Sequence, residues 1–274
     1  MYLAAILLSL CLLQAPPEPP ASNPPAEPAK GAPGSDEPAA GAQPSTPVDE
    51  KLDAILTRLE HRGEGLKDIA CKVVYVEEDQ INLSQQKKSG TIRFLLTEAN
   101  PIFMIEFDKT VVDGLLGKRE WYYFDGRWLW RALERTKTVS KQELVPEGEV
   151  IDLFNIESAP FILPFGHKKA EILRNFDVRL APPAEGDPKD ADHVVCTPKP
   201  GSRLADRYQH VQLFVDRELG LPVRIVTTKG GGYIKETADF PDLSPKSLNA
   251  GLTARHFAPL KEWREYEMSE EPLK

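Results

Sequence analysis

Apolar positions first recur at helical spacing. Leu52, Ile55, Leu56 and Leu59 fall on one face of a 3.6-residue period. Thr46 supplies a side-chain oxygen for the first free N–H groups, Pro47 suits the first helical position, and Asp49 follows three residues after the cap. An amphipathic helix is therefore expected over Pro47–Glu60, with Gly63 and Gly65 ending it. The period then shortens to two. Strands are expected near Ala70–Glu78, Gly90–Thr97, Ile102–Asp108, Arg119–Asp125, Trp128–Leu133 and Thr136–Leu144. Five more are expected near Ala170–Leu180, His193–Thr197, Tyr208–Asp216, Pro222–Thr228 and Tyr233–Phe240. Asp125-Gly126 reads as a two-residue hairpin between two aromatic strands. The stretch Val150–Phe165 has a different texture, suited to short helices broken by Pro160 and Pro164.

About eleven sequential strands with so few helices predict a mainly β (α+β) domain. A large antiparallel sheet twists and curls, so a strongly curved half-barrel is expected. The N-terminal helix and the segment Val150–Phe165, as a short helical lid, are the covers for its apolar face.

Composition adds a second region. Of 25 prolines in 274 residues, 11 lie between Pro16 and Pro47, a segment without aromatic, Val, Leu or Ile residues. Such a segment cannot offset its ordering entropy by burial and is expected to be a disordered linker. Stretched in polyproline geometry it reaches about 100 Å. Before it, Leu3–Leu13 has the length of a signal-peptide core and is too short for an ordinary membrane span. The expected organisation is thus residues 1–15 as signal peptide or N-terminal apolar segment, 16–47 as linker and 48–274 as the folded domain.

With 34 basic and 42 acidic side chains the formal net charge is −8, which argues against a nucleic-acid partner. The five histidines, His61, His167, His193, His210 and His256, show no metal-binding spacing. No nucleophile elbow or phosphate-binding loop occurs, and Lys229-Gly230-Gly231-Gly232 reads as a turn. Glu77 and Glu78 are adjacent on a strand and face opposite sides, so they cannot share a proton. No enzymatic activity, metal or cofactor is expected. Cys71 and Cys196 either form one disulfide, if their strands are neighbours, or remain buried free thiols.

Five stretches, in order, carry a resemblance. They are Ser89-Gly90-Thr91-Ile92-Arg93-Phe94; Asp125-Gly126-Arg127-Trp128-Leu129-Trp130; Val211–Asp216; Leu221-Pro222-Val223-Arg224-Ile225; and Ala238-Asp239-Phe240 followed by Leu252 and Phe257. With them the chain resembles the outer-membrane lipoprotein carrier superfamily, the LolA-like fold, over roughly Val48 to Phe257. The resemblance implies a half-barrel with a helical lid over an apolar cavity. Alone, alternation makes Ile92, Phe94 and Leu96, then Phe103, Ile105 and Phe107, and also Trp128 and Trp130, faces of either packed core or pocket. The resemblance favours a pocket lined by these residues, with Leu153, Phe154, Ile156, Phe161, Ile162 and Phe165 as its lid.

It further implies an exported protein of the periplasm or cell envelope that binds lipid or lipoprotein acyl chains in transport. Membrane association would be transient or through the N-terminal segment. One departure stands out: carriers place a basic residue before a proline after the early strand, where it helps latch the lid. Here Leu96-Thr97-Glu98-Ala99-Asn100-Pro101 has none. That departure and the long linker support the alternative of a tethered envelope sensor or scaffold with a protein partner.

Overall fold

The computed structural model describes residues 50–150, 167–257 and 261–272. Helix α1 (Glu50–Glu64) leads into β1 (Asp68–Asp79), β2 (Ser84–Leu95), β3 (Ile102–Val112), β4 (Leu115–Leu116), β5 (Glu120–Phe124), β6 (Trp128–Leu133) and β7 (Thr138–Glu143). Helix α2 (Lys169–Asn175) precedes β8 (Phe176–Ala181), β9 (Ala191–Pro198), β10 (His210–Asp216), β11 (Pro222–Lys229), β12 (Ile234–Asp239) and β13 (Glu267–Glu271). All the strands form one curved sheet that does not close, in the order β13-β7-β6-β5-β3-β2-β1-β12-β11-β10-β9-β8, with β4 beside β3.

Helix α1 lies against the concave face. Its Leu52, Ile55, Leu56 and Leu59 are buried in one apolar cluster with Val73, Phe94, Ile105, Phe124, Val194, Val215 and Ala238 from across the sheet. The helix runs past the expected stop: Gly63 is buried in its last turn, and the chain leaves only at Gly65.

Four differences from the expected elements have local causes. Residues 84–89 are polar, yet they pair with β1 up to Asp79↔Ser84, so β2 starts six residues early. The third expected strand runs on past Asp108, because β3 continues to Val112 and the chain folds back on it as β4. At 169–175 the run Lys-Ala-Glu-Ile-Leu-Arg-Asn favours helix and buries Ile172, so β8 begins only at Phe176. Finally, the sheet is not wholly antiparallel: β13 adds to the edge as a parallel neighbour of β7.

A second, smaller core lies on the other face. Trp121, Ala132, Val139 and Trp263 are buried together, with Tyr123, Trp130 and Tyr266 against them. The Trp121 and Trp263 rings meet edge to face at 6.1 Å. The C-terminal segment that delivers β13 is fastened there. Expectations for residues 1–47, and for a helix start at Thr46 and Pro47, lie outside the described residues.

Candidate functional site

Strand alternation divides the concave face into an apolar half and a polar belt. In the apolar half, Ile69, Cys71 and Val73 of β1, Ile92 and Phe94 of β2, and Phe103, Ile105 and Phe107 of β3 point toward α1 and are buried. Phe103 stacks on Phe124 at 5.7 Å. One cavity of about 20 Å³ remains there, lined by Ile69, Cys71, Ile92 and Phe94 on the sheet and Leu221, Pro222, Phe240 and Leu243 beside it. That is room for about one water molecule, in wholly apolar surroundings. A larger hollow of about 660 Å³ opens on the outside of α1, between Asp53, Thr57, Arg58 and His61 and the β10–β11 turn at Glu218 and Leu219.

Toward the other end, the inward positions become polar. Thr227, Glu236, Glu77, Lys88, Thr110, Glu120, Tyr122 and Arg131 follow one another across seven strands. The Tyr75 hydroxyl lies 3.0 Å from Glu77 Oε2 and 3.3 Å from Glu236 Oε1, bridging two carboxylates. Thr227 Oγ1 and Lys229 Nζ donate to Glu236 at 2.8 and 3.0 Å. Lys88, only 3% exposed, donates to Glu120 Oε2 at 2.8 Å, and the Tyr122 hydroxyl reaches the same oxygen at 3.2 Å.

Burial pushes the Glu77 carboxyl up from its ordinary range, and the Tyr75 hydrogen bond opposes it. Burial lowers the Lys88 ammonium, opposed by Glu120. Burial also raises the Tyr122 hydroxyl well above its usual value. Three carboxylates face three cations, Lys88, Arg131 and Lys229. Two buried donors are left over: Thr110 Oγ1 and Arg131 Nε have no hydrogen-bond partner.

Helix α1 is clamped at its flank. Buried Asp192 of β9 pairs with Lys51 at 3.1 Å, Arg58 at 3.5 Å and Arg217 at 3.2 Å. Burial pushes the Asp192 carboxyl up, but hydrogen bonds from Lys51 and Arg217 outweigh it and hold it below its ordinary range.

The expected site residues divide four ways. Ile92, Phe94, Phe103, Ile105 and Phe107 come together under α1. Leu96 does not join them: β2 ends at Leu95, and Leu96 is 39% exposed. Trp128 and Trp130 share a face, but it is the convex one. Register pairs Tyr123 with Trp130 and Trp121 with Ala132 on that face, while Leu129 opposite Phe124 turns inward. The two tryptophans there stack on the Lys141 ammonium, at 3.8 and 5.1 Å. Leu153, Phe154, Ile156, Phe161, Ile162 and Phe165 lie outside the described residues.

The hairpin before Trp128 also differs in detail. Its centre is Gly126-Arg127, with the Asp125 side chain accepting from both Arg127 and Trp128 N–H groups. Cys71 and Cys196 are free thiols, pushed up to about 12 by burial, Cys71 also by Asp242. Their strands are separated by β12, β11 and β10, so the neighbouring-strand condition for a disulfide is not met. Where a latching basic residue was missing, Asn100 Nδ2 donates to the Glu149 carbonyl at 2.9 Å, just before the 151–166 segment.

The polar belt is invisible to the periodicity of apolar positions. The signal was present, since Glu77, Glu120 and Glu236 each share strand parity with a buried neighbour: Tyr75, Tyr122 and Ala238.

No protein-family model and no curated protein matches the chain. Among solved structures it is similar to an uncharacterized conserved protein from Thermus thermophilus, with 15% identity, a TM-score of 0.47, and 81% of this chain and 99% of that chain covered. It is also similar to a LolA superfamily protein from Nitrosomonas europaea, at 13% identity and a TM-score of 0.32, covering 76% of this chain and 97% of that one. A third is a chain of the Pseudomonas aeruginosa MucA/MucB complex, at 15% identity and a TM-score of 0.34, covering 76% of this chain and 61% of that one. The likeness is one of fold and assigns no ligand.

Proposed function

We propose that the chain is an exported cell-envelope protein that binds lipid, or the acyl groups of a lipoprotein, on the concave face of its sheet. One observation carries the reading. The apolar half of that face is covered by a separate helix rather than by a second layer of sheet, and a small apolar cavity lies between the same face and the 221–222 and 240–243 segments. Helix α1 is held by four aliphatic side chains and a flanking ion-pair clamp. Lifting it would open the apolar cluster it shares with Val73, Phe94, Ile105 and Phe124 as a ready apolar surface. An acyl chain gains about 0.8 kcal/mol per methylene on leaving water, so such a surface makes transfer between membranes near-neutral. The apolar segment Leu3–Leu13 and the proline-rich linker support export and tethering. The chemistry proposed is binding rather than catalysis, because the belt's carboxylates are each engaged by a cation or a hydroxyl.

Protein purified from its native envelope, extracted with solvent and analysed by mass spectrometry, should release lipid in stoichiometric amount. Recovering none would sink the reading. The filled interior itself favours a second one, a tethered sensor or scaffold with a protein partner, since about 20 Å³ admits no chain without opening. In-cell cross-linking separates the two. A stable stoichiometric protein partner that survives Phe161→Asp would favour the second.

A further inference from the structure

The two ends of the sheet differ in charge and in apolar exposure. The pairs Asp79↔Ser84, Asp79↔Ile234, Gln86↔Val112 and Leu133↔Thr138 place the connections 80–83, 113–119, 134–137 and 230–233 at one end, and His210↔Thr228 adds 199–209. These connections carry seven basic side chains against three acidic ones, Asp113, Glu134 and Asp206. At the opposite end, the connections 96–101, 125–127, 144–149, 182–190, 217–221 and 240–249 carry four basic and nine acidic side chains. A chain of net charge −8 thus has one distinctly basic end. Arg203 and Arg207 stand close enough there that burial and then the Arg203 charge lower Arg207 below its ordinary value.

Apolar exposure is concentrated at the same end. Of eight large apolar side chains exposed among the described residues, five are Ile81, Leu83, Leu115, Leu116 and Tyr233. They sit on convex tips rather than in a groove. Strand β5 starts opposite Phe107, and β3 runs five residues further to Val112, so its hairpin projects about 17 Å past its neighbour. Leu83 is 89% exposed and held in the left-handed region at φ 48°, where leucine is disfavoured. The Asp79 carboxylate fixes that turn by accepting from the Ile81 and Asn82 N–H groups.

We infer that this end docks on an anionic phospholipid bilayer. The hairpin tips enter the headgroup–acyl boundary, and the lysines and arginines of 113–119, 134–137 and 199–209 lie against the charged headgroups on either side. Apolar tips flanked by basic side chains match the two layers of such a surface, apolar beneath anionic. This holds whether or not the interior takes up an acyl chain.

The test uses the full chain carrying L115W. The four native tryptophans are on β5, β6 and the C-terminal segment, away from the tips, and the unsubstituted protein provides their background. On phosphatidylglycerol vesicles with brominated acyl chains the introduced indole should shift to the blue and be quenched. On phosphatidylcholine vesicles of the same bromination the quenching should fall several-fold, and raised salt should weaken it. Quenching at the tip is the readout because the N-terminal apolar segment can hold the protein to either vesicle.

Adding Leu83→Asn and Leu116→Ser should weaken tip insertion by about tenfold or more. Asparagine tolerates the left-handed region, so an unchanged or higher Tm would show the fold intact. Absence of quenching, equal quenching on both lipids, or a dimer that shields the tips in lipid-free solution would overturn the inference.

Discussion

A Cβ at Gly90 would fall within the Glu106 carbonyl group, because the β2–β3 ladder slips by one residue between Ser89 and Gly90 and draws the two backbones together. No side chain fits, and the obstruction is backbone rather than a movable side chain. Gly90→Ala should therefore cost about 3 kcal/mol, read as a lower denaturant midpoint with an unchanged slope. Glu77 is a milder case with the opposite sign. Its folded pKa lies above the unfolded one, so burying the ionised form is a penalty that is full above the folded pKa and absent below the unfolded value. Glu77→Gln should raise stability at neutral pH by about 0.5 kcal/mol after solvent screening, and the gain should vanish as pH falls through that window. A gain that persists in acid would contradict the burial argument.

Elements are where the sequence was most and least legible. The period change from Leu59 to Ala70, and the turn at Asp125-Gly126, marked real boundaries, since a buried helix face and a half-buried strand need different spacings. Trp128 and Trp130 show the limit. Their pairing on one face follows from alternation alone, but which face is inward depends on Phe103 and Ile105 two strands away. Strand β13 was illegible for a related reason: Glu267–Glu271 has no apolar pattern, and it is held by backbone pairing to β7 and by Trp263 upstream. Trp263→Ala should remove about 3 kcal/mol and speed amide exchange in β13 and β7 before the rest of the sheet.

The clamp on α1 gives an element-scale pH test. The folded pKa of Asp192 is depressed, so its contribution is present above the unfolded value and lost as pH falls through the folded one. Asp192→Asn should cost about 2 kcal/mol at neutral pH, less than a fully buried pair because Lys51 and Arg217 are solvated, and nearly nothing in strong acid.

At the scale of the molecule the question is whether the closed interior is a resting state or the final one. A curved sheet that packs α1 across it gains stability from every aliphatic contact, and a cavity of about 20 Å³ beside Cys71 is a small loss against that gain. If the closed form is all there is, filling the cavity only helps. Cys71→Val adds apolar volume on a strand, where a β-branched side chain fits, and should raise stability by about 0.5–1 kcal/mol. For an acyl-binding protein the same change has a second effect, because it strengthens the closed packing and fills the apolar space that a chain would have to enlarge. Uptake of a fluorescent fatty acyl probe should then slow and weaken in Cys71→Val while Tm rises. A rise in Tm with unchanged probe uptake would place the ligand elsewhere than in the space beside Cys71.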